Sequence, residues 1–350
     1  MIEGIGFGKK GIRSGEVVFT TSMNGYPESL TDPSYKGQIL IITHPLVGNY
    51  GVPKKEYFKG IVKNFESENI MVEGLVISEL TNGKKWNSSR SLDEWLKDEG
   101  IPGICNVDTR MLTKKVREQG VMPAVLANYH GQKDLKNFLE RYESINFIEQ
   151  VSPKKPIEHK TGRKKIVIVD CGIKHGLLEN IAMLGYGIVR VPYDYPVDKI
   201  MGYNPTGIVF SNGPGDPNIA KPVIENFLKL SEYKLPTLAI CLGHQIATIA
   251  LGGRVRKMKF GHRAINKAVV DTRANRSYIT THNHGYASYP KDIPKSARIW
   301  FMSPDDNVVE GTVYKKLNLI TTQFHPEARP GTNDSAFIFN LFDKMVKNEN

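Results

Sequence analysis

The stretch LPTLAICLGHQIATIALGG, Leu235 to Gly253, decides how the chain is read. Leu235 to Ile240 is a short apolar run and reads as a buried strand. Cys241-Leu242-Gly243 breaks it, His244 to Leu251 reads as a helix, and Gly252-Gly253 stops that helix. A cysteine at the turn from strand to helix stands above a sheet edge with its sulfur exposed, the geometry of a nucleophile elbow. The positive end of the following helix favours the thiolate. Such a nucleophile needs a proton acceptor, a group to orient that acceptor, and donors for an oxyanion.

Strands and helices alternate upstream of the elbow. Lys165 to Val169 is a continuous apolar strand ending in Asp170-Cys171-Gly172, and a helix over Leu177 to Leu184 follows. Ile188 to Val191 and Gly207 to Phe210 are further strands, the second running into Ser211-Asn212-Gly213-Pro214-Gly215-Asp216-Pro217, with a helix from about Pro222 to Leu230. Nearly all-apolar strands separated by helices predict a parallel sheet covered on both faces, with its site at the carboxyl edge. Downstream the pattern turns to strands at Ala268–Asp271, Ser277–Thr281, Arg298–Met302, Val308–Tyr314 and Leu319–Thr322, then a helix over Ser335 to Val346.

Toward the N-terminus, Glu16–Thr21 and Gln38–Thr43 read as strands. Asn24 to Gln38 between them is rich in turn formers and reads as a loop, functional or merely connecting. Asp108 is placed to cap a helix carrying Leu112 and Val116 and ended by Gly120, and a second helix is expected over Asp134 to Tyr142. Gly4, Gly6 and Gly8 open no evident helix, so a phosphate loop is rejected and no ATP site is expected on this chain. The segment VSPKKPIEHKTGRKK marks a composition break. The expected organisation is an N-terminal domain over 1–150, a linker over 151–164 and a second domain over 165–350.

The chain has 350 residues, 40% hydrophobic and 24% charged, as in ordinary globular proteins. No apolar run approaches the ~18–20 residues of a membrane span, and MIEGIGFGKKG lacks the features of a leader, so a cytoplasmic location away from membranes is expected. The net charge of +11 raises nucleic acid as a partner, but the lysines are scattered and no aromatic-interleaved stripe accompanies them; no nucleic acid is expected. Three cysteines without a C-x-x-C pair suggest neither disulfides nor a metal centre, and Cys105 and Cys171 read as core residues.

Gln323-Phe324-His325-Pro326-Glu327 follows the last strand, at the edge expected for Cys241. Taken with the elbow, His325 can serve as the base and Glu327 can orient its ring, although alone His325 reads more readily as a loop histidine. The N–H of Leu242 is one oxyanion donor; the Gly213-Pro214-Gly215 turn offers another, unless it is a tight turn chosen for shape.

Cys241-Leu242-Gly243-His244-Gln245, the SNGPGDP loop and the HPE ending together resemble a class I, triad-type glutamine amidotransferase domain. KMKFGH (Lys257 to His262), Asn283-His284-Gly285-Tyr286, SMNGYPESLTDPSYKGQI and VDTRMLTKKVREQG further resemble the family of carbamoyl-phosphate synthetase small chains, over nearly the whole length. The resemblance implies an α/β fold: an N-terminal mixed α/β domain for large-subunit association, then an amidotransferase domain with a largely parallel central sheet. It implies attack of Cys241 on L-glutamine, a glutamyl thioester, and ammonia passed to a large subunit. That subunit, carrying MgATP, would make carbamoyl phosphate for arginine or pyrimidine synthesis. Ser34, Gly213, Gly215, Leu242, Gln245, Asn283, Gly285 and Tyr286 would hold glutamine, with no cofactor or metal on this chain. His244, His262, His282 and His284 would serve structure or inter-subunit contact. Departures from the family pattern are Ala239 where Gly is usual, Tyr286 for Phe, and Ala264 to Ala268 for a G-x-N-H-P loop; the family's first strand is expected to be absent or abbreviated. The alternatives are a glutaminase for another synthase, a non-catalytic scaffold, or a cysteine peptidase on a similar elbow.

Overall fold

The computed structural model describes residues 2–83, 85–129, 139 and 145–348, and counts below refer to these. The expected helix over Asp134 to Tyr142 lies outside the described residues, Leu139 apart. The chain divides into two compact units, one of residues 1–57 and 62–147, the other of 58–61 and 148–350.

The first unit is built on a six-stranded sheet: β1 (Ile5–Gly8), β2 (Ile12–Thr20), β3 (Gln38–Ile42), β4 (Gly74–Ile77), β5 (Pro102–Cys105) and β6 (Met122–Ala127), in the order β1-β5-β4-β3-β2-β6. β2 to β5 run parallel and the two edge strands antiparallel. Side chains alternate across the sheet, so Leu40 and Ile42 join a core with Leu75, Ile77 and Trp95, while Ile39 and Ile41 pack with Val76, Val107 and Leu126 on the other face. Gly6 and Gly8 thus belong to an edge strand, and Gly4 immediately precedes it. Asp108 caps the helix Thr109–Gln119 by accepting from the Met111 N–H at 2.8 Å, and Gly120 ends it at φ 92°.

One sequence reading of this unit is corrected. Asn24 to Gln38 is not an open loop: Tyr26–Thr31 forms a short helix with proline in its first turn, and Pro33–Tyr35 a 3₁₀ turn capped by Asp32. Six residues are too few to show a helical period, while the early proline, which hides the helix in composition, suits a first turn.

The second unit carries a ten-stranded sheet. Its strands are β7 (Ile157–His159), β8 (Lys165–Asp170), β9 (Gly187–Pro192), β10 (Gly207–Phe210), β11 (Thr237–Ile240), β12 (Arg256–Asp271), β13 (Arg276–Ala287), β14 (Arg298–Met302), β15 (Val309–Tyr314) and β16 (Leu319–Thr322). The order is β7-β9-β8-β10-β11-β16-β15-β14-β12-β13. β9, β8, β10, β11 and β16 are mutually parallel, the arrangement expected from their apolar runs; β15, β14, β12 and β13 extend the sheet antiparallel. Ile157–His159 pairs antiparallel with β9 at the far edge.

β12 and β13 are longer than the sequence suggested, reaching back to Arg256 and on to Ala287. Ala264 to Ala268, expected as an altered loop, lies within β12, where the register shifts between Ala264 and Lys267. These residues alternate poorly because the hairpin is held by its ladder and by polar contacts rather than by an apolar face.

Helices α1 (His175–Met183), α2 (Lys221–Ser231), α3 (Leu242–Ala250) and α4 (Phe337–Lys347) cover the parallel strands. Ile166, Ile168, Leu177, Ile181 and Phe342 lie in one core and Val167, Phe227, Ala239 and Ile246 in the other. No helix among the described residues is long and apolar enough to cross a membrane.

Phe342 of α4 is fully buried, and its ring tip would lie 3.1 Å from a Cβ on Gly207. Phe342→Ala is expected to cost about 3–5 kcal/mol through the cavity it leaves. Leu228→Ala, on the exposed side of α2, should stay within about 0.5 kcal/mol. Urea unfolding of both variants checks the contrast.

Candidate active site

β11 and β16 are neighbours in the parallel sheet, with Ile240 opposite Thr322. The residues that leave their carboxyl ends therefore emerge side by side. Cys241 follows Ile240 directly, and His325 and Glu327 follow Thr322 by a few residues.

Cys241 has φ 53° and ψ −102°, a strained conformation for a residue with a Cβ. Three hydrogen bonds hold the turn. The Cys241 N–H donates to Thr322 O at 2.8 Å, Gly243 N–H to Ser211 O at 3.1 Å, and Gln245 N–H to Cys241 O at 3.2 Å. Gly243 allows α3 to start so close to β10, because a Cβ there would meet the Phe210 carbonyl at 2.4 Å. Ala239 sits buried between Phe210 and Thr321 in the ladder, so its methyl is part of the apolar core.

The sulfur is not exposed as the sequence led us to expect. Cys241 is 2% exposed, and its thiol lies 3.7 Å from the Asn283 carbonyl oxygen, because β13 passes over the elbow. Cys105 and Cys171 are buried and free; burial pushes both thiols up.

His325 and Glu327 are bonded, Nδ1 to Oε1, at 2.6 Å, and both are buried. The His325 N–H donates to Thr281 O at 2.8 Å, which fixes the loop against β13. Burial alone lowers the pKa of the His325 ring, but Glu327 and then Cys241 outweigh it and raise it well above the ordinary histidine value. The ring is therefore a strong proton acceptor beside the thiol. Burial raises the Glu327 carboxyl, yet Lys174 and His325 pull it down to about 2.

Lys174 was not singled out from the sequence. It follows the β8 edge, is 1% exposed, and lies 3.3 Å from Glu327 Oε1 while donating to the Ala328 carbonyl. Its only sequence signal is position: a lysine in Asp170-Cys171-Gly172-Ile173-Lys174 just past a strand that reaches the same edge. A carboxylate facing both an imidazolium and an ammonium stays ionised in a buried site.

The glycine loop is shaped by packing at one end and by conformation at the other. A Cβ on Gly213 would stand 2.2 Å from the Cys171 carbonyl oxygen and 2.9 Å from Leu242 Cδ2. Gly215 has φ 92° with open space beside it. Gly213 and Leu242 are thus brought together. Gln245 Nε2 donates to Tyr286 O at 2.9 Å and to Gln323 Oε1 at 3.0 Å, joining α3 to β13. Gly285 lies against Arg263, where a Cβ would meet Nη2 at 3.2 Å. Ser34 belongs to the first unit, buried in the Pro33–Tyr35 turn, with its N–H donating to Asp32 Oδ1 at 2.9 Å.

His244 is buried and its Nδ1 pairs with Thr321 Oγ1 at 2.7 Å; burial lowers its pKa to about 3, so it is a neutral core group. Among the described residues, one group is close enough to hold a metal: His262, His282, His284 and Glu310.

Lys174→Met removes one of the two cations facing Glu327. Breaking such a buried pair is expected to cost about 3–5 kcal/mol. The depressed Glu327 carboxyl stabilises the fold above its unfolded value of about 4.3, and this contribution is lost as pH falls through its folded value. Without Lys174 that folded value rises, so acid unfolding followed by circular dichroism should begin at a higher pH in the variant.

Comparison with known proteins accounts for both units. Residues 167–345 match the family model of class-I glutamine amidotransferases, and residues 1–126 match that of the carbamoyl-phosphate synthase small chain, CPSase domain. The chain is 61% identical over 350 residues to the carbamoyl phosphate synthase small chain of Sulfurisphaera tokodaii, covering 99% of this chain and 94% of that one. It is 60% identical over 348 residues to that of Metallosphaera sedula, with 99% and 94% covered. The small chain of Sulfolobus acidocaldarius is 60% identical over 350 residues, again with 99% and 94% covered. A strained cysteine elbow beside a buried histidine–glutamate pair is the chemistry a glutamine amidotransferase needs, and the chain belongs to the carbamoyl phosphate synthase small chain family.

Proposed function

We propose that Cys241, His325 and Glu327 hydrolyse L-glutamine and that the ammonia goes to a large subunit. The observation that carries this reading is the elbow: the Cys241 thiol and the His325–Glu327 pair leave adjacent parallel strands at one sheet edge.

Cys241 gives its proton to His325, and its sulfur attacks the side-chain amide carbon of glutamine. The N–H of Leu242, with the Gly213 end of the glycine loop, faces the oxyanion that forms. His325 then hands its proton to the amide nitrogen, the C–N bond breaks, and ammonia leaves a γ-glutamyl thioester. Water, deprotonated by His325, attacks the thioester; glutamate departs and the thiol is restored. Glu327 holds the imidazolium, and Lys174 keeps Glu327 ionised.

Glutamine would be held by Gly213, Gly215, Leu242, Gln245, Asn283, Gly285 and Tyr286, together with Ser34 of the first unit. Gln245 donates two hydrogen bonds through Nε2, which leaves its Oε1 suited to an ammonium group. The first unit, domain 1–150 in the sequence reading, would associate with the large subunit. That subunit would bind MgATP and make carbamoyl phosphate from bicarbonate, in the cytoplasm, for arginine or pyrimidine synthesis.

Cys241→Ser in the complex with a large subunit should abolish glutamine-dependent synthesis of carbamoyl phosphate and leave ammonia-dependent synthesis intact. Glutamine use near the wild-type rate would overturn the assignment of Cys241 as the nucleophile. Glu327→Gln should lower the glutaminase kcat by about 10²–10⁴-fold, the usual span for losing a positioned acid–base group, read by glutamate release.

A further inference from the structure

The geometry points to a structural site for a divalent transition-metal cation of the zinc type, formed by His262, His282, His284 and Glu310. All four are buried, at 5%, 2%, 4% and 0% exposure, and their ligand atoms lie within 4.8 Å of one another. His262 comes from β12, His282 and His284 from one face of β13, and Glu310 from β15.

The hydrogen bonds on the outer side of each ring decide which nitrogen carries the lone pair. His262 Nε2 lies 2.8 Å from Asp306 Oδ2, a carboxylate that only accepts, so its N–H is there. His284 Nδ1 lies 2.9 Å from the Tyr286 carbonyl oxygen, which also only accepts. His282 Nε2 lies 2.7 Å from Thr280 Oγ1, and the Thr280 hydroxyl hydrogen goes to the Lys267 carbonyl at 3.0 Å. His282 Nε2 is therefore the donor. Three lone pairs remain: those on His262 Nδ1 and His282 Nδ1 face the Glu310 carboxylate, and that on His284 Nε2 faces His282 Nδ1.

Such an arrangement has no internal donor. His262 Nδ1 faces Glu310 Oε1 at 3.4 Å, His282 Nδ1 faces Glu310 Oε2 at 3.5 Å, and His282 Nδ1 faces His284 Nε2 at 3.3 Å. Both Glu310 oxygens and His262 Nδ1 are buried without a hydrogen-bond partner. Buried polar atoms are ordinarily satisfied, and four acceptors pointed at one another call for a cation. The spacing suits one: zinc bound at about 2.0–2.1 Å in a tetrahedron has ligand atoms about 3.3–3.4 Å apart.

Charge and outer contacts agree. A divalent cation with Glu310 and Asp306 sums to zero, and the nearby Lys267 is already paired with Asp305 at 2.9 Å. A carboxylate, a hydroxyl and a carbonyl on the far ring nitrogens are the partners that fix ligand tautomers in metal sites. Protons offer a poorer solution: one on His262 Nδ1 would serve Glu310 but leave the His282–His284 contact unanswered.

The ligands bracket the site already described. Asn283, whose carbonyl faces the Cys241 thiol, lies between two of them, and Tyr286 O receives both His284 and Gln245. A bound metal would pin β13 over the elbow. The sequence suggested no metal because its ligands share no short motif; metal binding stands apart from the glutaminase reading, and only an effect on glutamine turnover rests on it.

Tag-free full-length chain, stripped with a chelator and re-equilibrated with Zn²⁺ alone, tests this by elemental analysis, X-ray absorption and thermal unfolding. About one zinc per chain is expected, with a shell of nitrogen and oxygen only and a zinc-dependent rise in Tm. Asp306→Asn should weaken zinc binding about 10–100-fold; His282→Gln and Glu310→Gln should abolish it and the Tm response. Failure of the wild type to retain zinc, sulfur in its shell, or equal retention by the folded variants would overturn the site. If the variants do not fold, the wild-type absorption spectrum decides, since three imidazoles and a carboxylate have a distinct signature.

Discussion

The lateral pairing of β11 with β16 is the constraint on which the site depends. Ile240 opposite Thr322 brings two segments 82 positions apart in the chain to one edge, and the Cys241 N–H bond to Thr322 O ties them there. The strain at Cys241 is sustained because both flanks are rigid: a fully buried strand before it and a helix locked to Ser211 after it. A one-residue slip of β16 would turn Thr321 and Thr322 to opposite faces and take His325 away from the thiol.

Around this pairing the site is a chain of buried charges and not an isolated triad. Glu327 and Cys241 outweigh burial and favour a proton on His325, and Lys174 and His325 outweigh it in turn and favour the ionised Glu327. Each group's charge state is set by the next. β13 closes the arrangement from above through Thr281, Asn283 and Tyr286, which contact His325, Cys241 and Gln245 respectively.

The parallel half of the second unit was legible because strands buried on both faces read as unbroken apolar runs, as in Ile166–Val169 and Ile208–Phe210. That Cys241, His325 and Glu327 share one edge was legible for a related reason, since the segments carrying them begin where strands of one parallel sheet stop. Lys174 was not, because a buried lysine looks like a surface one until its carboxylate is known. The β12–β13 hairpin beyond its tip was missed because Lys257 to Lys267 and His282 to Tyr286 are ordered by polar contacts, which have no period in sequence. The short helix at Tyr26 was missed for its length, and the His–Glu cluster because strand pairing, not spacing, assembles it.

The left-handed turn at Cys241 also limits what chemistry this scaffold can host over evolutionary time. A residue at φ 53° tolerates an unbranched Cβ at some cost, but a second heavy atom on Cβ makes the conformation an outlier. Cysteine, serine and alanine fit this backbone; threonine and valine do not. A nucleophile at this position is thereby confined to sulfur or a primary hydroxyl before any question of reactivity arises, and a change to threonine would undo the fold of the edge.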